Sequence, residues 1–578
     1  MVRFIYILLF TLLTTSSNSQ QVYNRHWGTL YPIKAIPYYK PIYNDTARYR
    51  NEELLYAVNK STNKIYIAEP LNAYPKISPN KITLYEFNEN NNHIRYVVTD
   101  LISISKIIFS KTNEMFVNGE SAQRQLGLFK CDINGNLTFI TTIGGSNLKS
   151  SVTFDDLGNI YVLRSASKTT VLSPCFFQST GDQNSIINLQ DVISKYDSKG
   201  KHIWSTFYFN NQSHIWGIAA GTNGLYIYGH EFLTTANSSY FGTPDGYQPK
   251  ASGIYSNGNP SNAKNAFLTK FSFDGRRLWS TYYGPQQSNV PLQNIVMANK
   301  NMEVVGDDVY IITDHILTQG INHKLNTPNV AINSTPDFTN AKTLTKFSGD
   351  GKRLWTNYLY DAETLNITSD NNVMLSGRNN LLINLPNATL DAYQSVVKGT
   401  EDNITYTITS DGSLLKYLSY YGDIFRDNGI AVPTKNGYYV IGGSVDSPSK
   451  SSNLHTKDAL FTKLEKVDTR YSSNRFVGNF VAFFTNKSLD ITDKNSVSDV
   501  KFTIYPNPSS DVVYIETETA LSTNSLIIIY DINGRKVFHQ KVLDQFKNSI
   551  SISQLPTSVY LLEIQTENQK YQTKIIKN

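Results

Sequence analysis

Apolar and polar residues alternate along most of this chain, and the alternation breaks at glycine pairs. "NAFLTKFSFDGRRLWSTYYG" (265–284), "DVISKYDSKGKHIWSTFYF" (191–209) and "KTLTKFSGDGKRLWTNYLY" (342–360) carry one pattern three times. Side chains of a strand point alternately to its two faces, so a period of two predicts half-buried strands. The Asp-Gly or Lys-Gly pair supplies the positive φ of a tight turn. Each copy is therefore expected to be a β-hairpin. Weaker copies stand at 126–145 and 404–422, with degenerate ones at 81–98 and 457–468. A second hairpin type alternates with the first, at 55–69, 107–119, 152–163, 218–229, 304–314, 366–377 and 430–443.

Two hairpins per repeat give four strands, and units this small must stack on neighbours to bury their faces. Radial repetition of four-stranded units predicts an all-β fold, a seven-bladed β-propeller over 45–470. An open β-solenoid would favour shorter and more uniform repeats. Trp204, Trp279 and Trp355 are expected to fill the wedge between blades. The first hairpin (55–69) and the last (457–468) differ in type, so they are expected to complete one blade together.

Composition fits strands and polar turns: Tyr (38) and Phe (28) are abundant and only 17% of residues are charged. The net charge of +6 is spread singly, without a basic run, which argues against a nucleic-acid partner. Arg3, the apolar run at 4–13 and the small residues at 14–19 form a signal peptide, 1–19, ending before Gln20. No later apolar stretch is long enough to predict an integral membrane span. Cys131 and Cys175 are the only cysteines; whether they pair is open from sequence.

The repeat resembles the SBBP family of bacterial β-propeller repeats. The matching pieces are "NAFLTK", "FDG", "STYYG" and "LGNIYVL", with the loops "GTPDGYQPK" (242–250) and "TLDAYQSV" (389–396). That resemblance implies a fold and no shared reaction. After a polar linker (471–501) the rhythm changes, and period-two runs at 502–578 predict a small Ig-like β-sandwich. This segment resembles the type A C-terminal sorting domain of the Bacteroidetes type IX secretion system. The resemblance rests on Tyr505-Pro506-Asn507-Pro508, then Asp531 with Gly534 and Arg535, then Leu555-Pro556 with Tyr560, then Lys574 and Lys577. Ser558 stands where the family usually has Gly. The resemblance implies secretion or display on the outer surface after passage through the periplasm, with the type IX machinery as a partner.

No catalytic, cofactor-binding or metal-binding residue set is legible. HExxH, GxSxG and P-loop patterns are missing, and "SFDGRRL" or "SGDGKRL" lack the ligand run of a calcium loop. His202, His214 and His230 are read as ordinary surface or interblade residues. The long polar loops at 164–190, 230–264, 315–340 and 378–403 are expected on one face of the ring. Tyr240, Phe241, Tyr247 and Tyr255 are their candidate binding aromatics. The reading is an exported binding or adhesion protein for an extracellular glycan or protein; its alternative is a propeller enzyme, a polysaccharide hydrolase or lyase or a quinone-dependent dehydrogenase.

Overall fold

Four of the predicted tight turns close on their glycine. Gly200, Gly275, Gly351 and Gly412 have φ between +78° and +92°, and each donates its N–H to the carbonyl three residues earlier at 2.8–3.0 Å. The structure, a computed structural model, describes residues 24–31, most of 55–485 and most of 502–578. The chain divides into two modules, 1–486 and 487–578.

The N-terminal module is built from antiparallel four-stranded meanders. Five are separate sheets, at 55–99, 101–142, 152–207, 214–283 and 295–358. A nine-stranded sheet holds two more, joined by a single parallel pair, Glu401 with Arg426. One spans 364–421. The other consists of Arg426–Pro433, Gly437–Asp446, Phe476–Thr485 and Asn24–Tyr31, with the short strand Glu465–Lys466 beside Phe476–Thr485.

Apolar cores lie between neighbouring sheets. Leu84 and Val98 pack with Ile107 and Val117; Phe116 and Leu128 with Phe154 and Val162; Ile193 and Trp204 with Leu225 and Phe271. Tyr226 and Trp279 then meet Val309 and Phe347, Leu344 and Trp355 meet Leu375 and Tyr406, and Tyr417 and Tyr421 meet Tyr438 and Phe484. A further cluster brings Trp27, Tyr439 and Phe483 of the last sheet against Ile65, Ile67 and Phe87 of the first.

The repeated tryptophan has a defined task. The indole N–H of Trp204, Trp279 and Trp355 donates to the carbonyl of Phe273, Gly349 and Ser410, at 3.1, 3.0 and 3.2 Å. Those carbonyls sit one residue before the Asp-Gly pair of the next sheet. Lys195, Lys270 and Lys346, paired across the hairpin with the tryptophans, aim their ammonium groups at the same three carbonyls. Each lysine also stands 5.1–5.3 Å from the ring centroid of a tyrosine, Tyr161, Tyr226 or Tyr310. A Cβ at Gly412 would come within 2.6 Å of the Trp355 ring, so the turn glycine is also what lets the indole lie against the next sheet.

Two expectations are corrected. The hairpin at 55–69 does not share a sheet with Glu465–Lys466, the described part of 457–468: Leu55–Asn59 and Lys64–Ala68 pair with each other and then with Lys81–Phe87, whereas Glu465–Lys466 lies beside Phe476–Thr485. The outer strand of the last sheet is Asn24–Tyr31, which lies before the span read as propeller, and its partner Phe476–Thr485 lies in the span read as linker. Of 457–468, residues 457–464 and 467–468 lie outside the described residues.

The described parts of three long loops cover sheet edges. After the second strand of a sheet, the chain folds back along the outer edge of the fourth. Pro174 and Gln178 accept from the N–H groups of Ser205 and Phe207; Thr243 and Gln248 bracket Ser280–Tyr282; Thr389 and Gln394 bracket Leu418–Tyr420. An uncovered outer strand would present unpaired backbone groups, and these loops satisfy them.

In the C-terminal module, a three-stranded sheet (Phe502–Tyr505, Val512–Thr517, Lys547–Ser551) and a four-stranded one share a single core. The four strands run in the order Lys536–Lys541, Leu526–Tyr530, Ser558–Gln565, Lys570–Lys577. Val513, Ile515 and Ile550 of the first sheet meet Ile527, Ile529, Leu562 and Ile575 of the second.

Candidate sorting and binding sites

The motif residues of the C-terminal module act mainly inside it. Asn507 donates through Nδ2 to the Lys574 carbonyl (2.9 Å) and accepts through Oδ1 from the Ile576 N–H (2.8 Å). Ser509 continues the pairing: its N–H donates to Ile576 at 2.9 Å and its carbonyl accepts from Asn578 at 3.0 Å. The Pro-Asn-Pro segment thereby covers the edge strand that ends the chain. Pro506 and Pro508 are exposed beside these contacts, with no N–H of their own to satisfy. Tyr560 Oη donates to the Pro556 carbonyl at 2.8 Å, closing the turn after Leu555, which packs on the core. Lys574 is exposed, whereas Lys577 is buried and donates to the Asn578 carbonyl at 2.6 Å.

Tyr505 lies on the solvent side of the three-stranded sheet. Its hydroxyl donates to Glu516 Oε1 (2.5 Å), its ring stacks on Tyr514 at 5.7 Å, and Lys547 donates to it at 3.1 Å while pairing with Glu516 at 2.7 Å. These bonds hold the Glu516 carboxyl below its ordinary range and raise Lys547. Asp531 is half-buried; Gly534 and Arg535 lie outside the described residues.

The candidate loop aromatics are held by the protein itself. Phe241 is 0% exposed and stacks on Phe267 with centroids 3.9 Å apart, so it is a core residue and not a surface contact. Tyr240 donates to Gln178 Oε1 at 2.6 Å, reaching the loop of the preceding sheet. Tyr247 lies under the Arg353 guanidinium, 5.0 Å from its centroid, bridging to the following sheet. Tyr255 lies outside the described residues.

A different cluster stands at the loop-bearing end of the 214–283 sheet. His214 and His230 are directly paired across the first two strands, and Trp216 is the extra residue of a β-bulge between Ile215 and Gly217. A bulge re-aims a side chain. Here it lets Trp216 Nε1 donate to His230 Nδ1 at 2.9 Å, which leaves the His230 proton on Nε2. His230 is 3% exposed and its Nε2 is buried without a hydrogen-bond partner. Burial, with Lys264 and His214 nearby, lowers its pKa to about 3, so the ring is neutral and keeps accepting from the indole at ordinary pH. Trp216 is half-buried and His214 exposed, with ring centroids 5.6 Å apart. The result is an aromatic shelf whose indole is fixed from below. Reading the histidines as ordinary surface or interblade residues did not foresee this shelf; the sequence signal is "HIWGI", where Gly follows a Trp that breaks the alternation.

The repeats differ from one another at this register. The position of His230 is held by Ser165, Asp314 and Arg378 in three other sheets, while the buried position three residues earlier stays apolar, as Val162, Ile227, Ile311 and Leu375. Among the described residues no three His, Cys, Asp or Glu side chains gather to hold a metal ion. Cys131 and Cys175 are both free thiols, the first buried and pushed up to about 12.

No curated protein matches the chain. Solved structures similar to it include a quinohemoprotein alcohol dehydrogenase from Pseudomonas putida HK5, at 9% identity over 86% of this chain and 80% of that one, with a TM-score of 0.33. Another is a quinohemoprotein alcohol dehydrogenase from Comamonas testosteroni, at 11% identity, 84% and 79% coverage and a TM-score of 0.32. A third is the xyloglucan-locus protein GH43B from Bacteroides ovatus, at 8% identity, 80% and 99% coverage and a TM-score of 0.21. Likeness this slight carries no argument about chemistry. The C-terminal match is of another kind: residues 503–578 fit the family model of the secretion system C-terminal sorting domain, and the chain is exported by a type IX secretion system to the cell surface or the medium.

Proposed function

We propose that the N-terminal module is a closed seven-bladed β-propeller that binds an extracellular polymer or protein through its loop-bearing end. Support for closure comes from the core that joins Trp27 and Phe483 to Ile65 and Phe87, and from two further ties across the same junction. Trp27 Nε1 donates to the Glu89 carbonyl at 2.8 Å, and Tyr439 Oη to the Asn63 carbonyl at 2.8 Å. The SBBP-like repeat, the signal peptide at 1–19 and a Bacteroidetes source belong to this same reading, and 1–19 lies outside the described residues.

The observation that carries the binding role is the His214–Trp216 shelf. A fixed, half-exposed indole with an exposed imidazole beside it suits the flat apolar face of a sugar ring and the hydroxyls around it. Rigid aromatic groups give contact area at little entropic cost. The test is retention of the purified chain in gels containing neutral or acidic polysaccharides. One of them should retard the chain, and Trp216→Ala should weaken that retention about tenfold or more, as expected of a central aromatic anchor. Equal retention of the variant, or turnover of a polysaccharide without added cofactor, would overturn the reading.

A further inference from the structure

The C-terminal module holds a surface that its motif residues do not use. The chain passes from strand Lys536–Lys541 to strand Lys547–Ser551 through a short connection whose described residues, 542–544 and 546, are held by hydrogen bonds. Asp544 Oδ1 accepts from the N–H groups of Phe546 (2.8 Å) and Lys547 (2.9 Å). Asn548 Oδ1 accepts from Leu543 (2.8 Å) and Asp544 (3.2 Å), while its Nδ2 donates to the Asp544 carbonyl at 2.7 Å. Val542 N–H donates to Ser525 and Thr517 N–H to Phe546, both at 2.9 Å, fastening the connection to neighbouring strands.

Val542 points into the core from this frame. Leu543 and Phe546 point the other way and are 79% and 52% exposed. Burial of either side chain is worth roughly 1.5–3 kcal/mol, so folding alone gives no reason to fix both in water. Large apolar groups held rigidly outward are what a partner's pocket needs, because little is left to order on binding.

We propose that Leu543 and Phe546 are the anchors by which this module docks into an apolar cleft of the type IX secretion machinery. The proposal rests on the assignment of 503–578 as a sorting domain. Two observations favour the machinery as occupant. The pair belongs to the module that directs export, and Asn507, Ser509 and Tyr560 of the motif make their hydrogen bonds within it. The motif builds the fold, and this connection presents it.

The experiment compares full-length chains in the producing bacterium: wild type, Leu543→Ser with Phe546→Ser, Leu543→Met with Phe546→Tyr, and a chain lacking 487–578. The ratio of protein outside the cell to protein in the periplasm is measured, and limited proteolysis reports whether the C-terminal module is intact. The serine pair should lower the ratio about tenfold or more with the module still protease-resistant, and the Met/Tyr pair should restore it. Normal export of the serine pair while the deletion is retained overturns the proposal, whereas normal export of the deletion overturns the sorting assignment itself. If the serine pair loosens the module, Leu543→Gln and Phe546→Gln are read singly, and normal export of both overturns the proposal. Loss of self-association by the serine pair with unchanged export would assign the surface to a second copy and equally overturn it.

Discussion

At one register of the first hairpin type, Asp191, Lys342 and Asn403 each reach the neighbouring segment by a different chemistry, while Ala266 holds that register in the 214–283 sheet. Asp191 Oδ2 accepts from the Ile215 N–H at 2.9 Å, Lys342 pairs with Asp361 at 3.1 Å, and Asn403 Nδ2 donates to the Gly429 carbonyl at 2.6 Å. Asp191 is the pH-sensitive one, because burial outweighs its single backbone donor and raises its pKa to about 7. Between about pH 4 and pH 7 the folded chain therefore holds a proton that the unfolded chain has released. This group's contribution to stability is complete below pH 4 and is lost as pH rises toward 7, at up to about 1.4 kcal/mol per unit. Asn accepts the same N–H and carries no charge. Asp191→Asn should match wild type in thermal unfolding near pH 4 and gain on it steadily up to pH 7–8; an offset independent of pH would refute this account. His230 works in the opposite sense, since a buried neutral imidazole disfavours the fold as pH falls below the ordinary histidine range.

At the scale of the strand, Trp27 is the fourth copy of the tryptophan contact. "RHWGTLY" at 25–31 parallels "RRLWSTYY" at 276–283, and the indole N–H again donates to a turn carbonyl of the adjoining sheet. Trp27→Ala should cost about 3–5 kcal/mol, as deletion of a buried Trp does, measurable by denaturant unfolding. Trp279→Ala should cost a similar amount if the two contacts are equivalent. A cost below about 1 kcal/mol at Trp27 alone would show that Asn24–Tyr31 is dispensable. The hairpins were legible because turn and strand are local: alternation, the Asp-Gly pair and the Lys-to-Trp spacing all sit within twenty residues. Asn24–Tyr31 was not, since its partner begins at Phe476 and neither segment carries a turn of the repeat. The loops at 242–250 and 389–396 were legible as a recurring motif but not as edge covers, because Thr243, Gln248, Thr389 and Gln394 act on backbone groups that leave no trace in composition. Phe241 misled for a related reason, as an aromatic in a polar loop looks the same whether it faces solvent or the core.

For the whole molecule, the pairing of Asn24–Tyr31 with Phe476–Thr485 limits where a sorting module removed on export could be cut away. The sorting module starts the second unit at 487, and its family match begins at 503. The resemblance of 502–578 to a sorting domain implies that this segment is removed on export by a cut near 470–502. The structure restricts it, because Phe476–Thr485 pairs on one side with Gly437–Asp446 and on the other with Asn24–Tyr31. Removing that strand would take Phe480, Val481, Phe483 and Phe484 from two interface cores and leave Asn24–Tyr31 without a partner. A loss of that size is comparable with the roughly 5–15 kcal/mol that holds a domain folded. The released protein should therefore end after Thr485 and before Thr503, which mass spectrometry of the secreted form reads directly. Chains ended at 486 and at 475 provide the matching stability test. The first should melt as the N-terminal module of the full chain does, and the second should lose the cooperative transition or melt far lower. Equal melting of the two would mean that this strand does not hold the module together, and would count against the proposed closed ring.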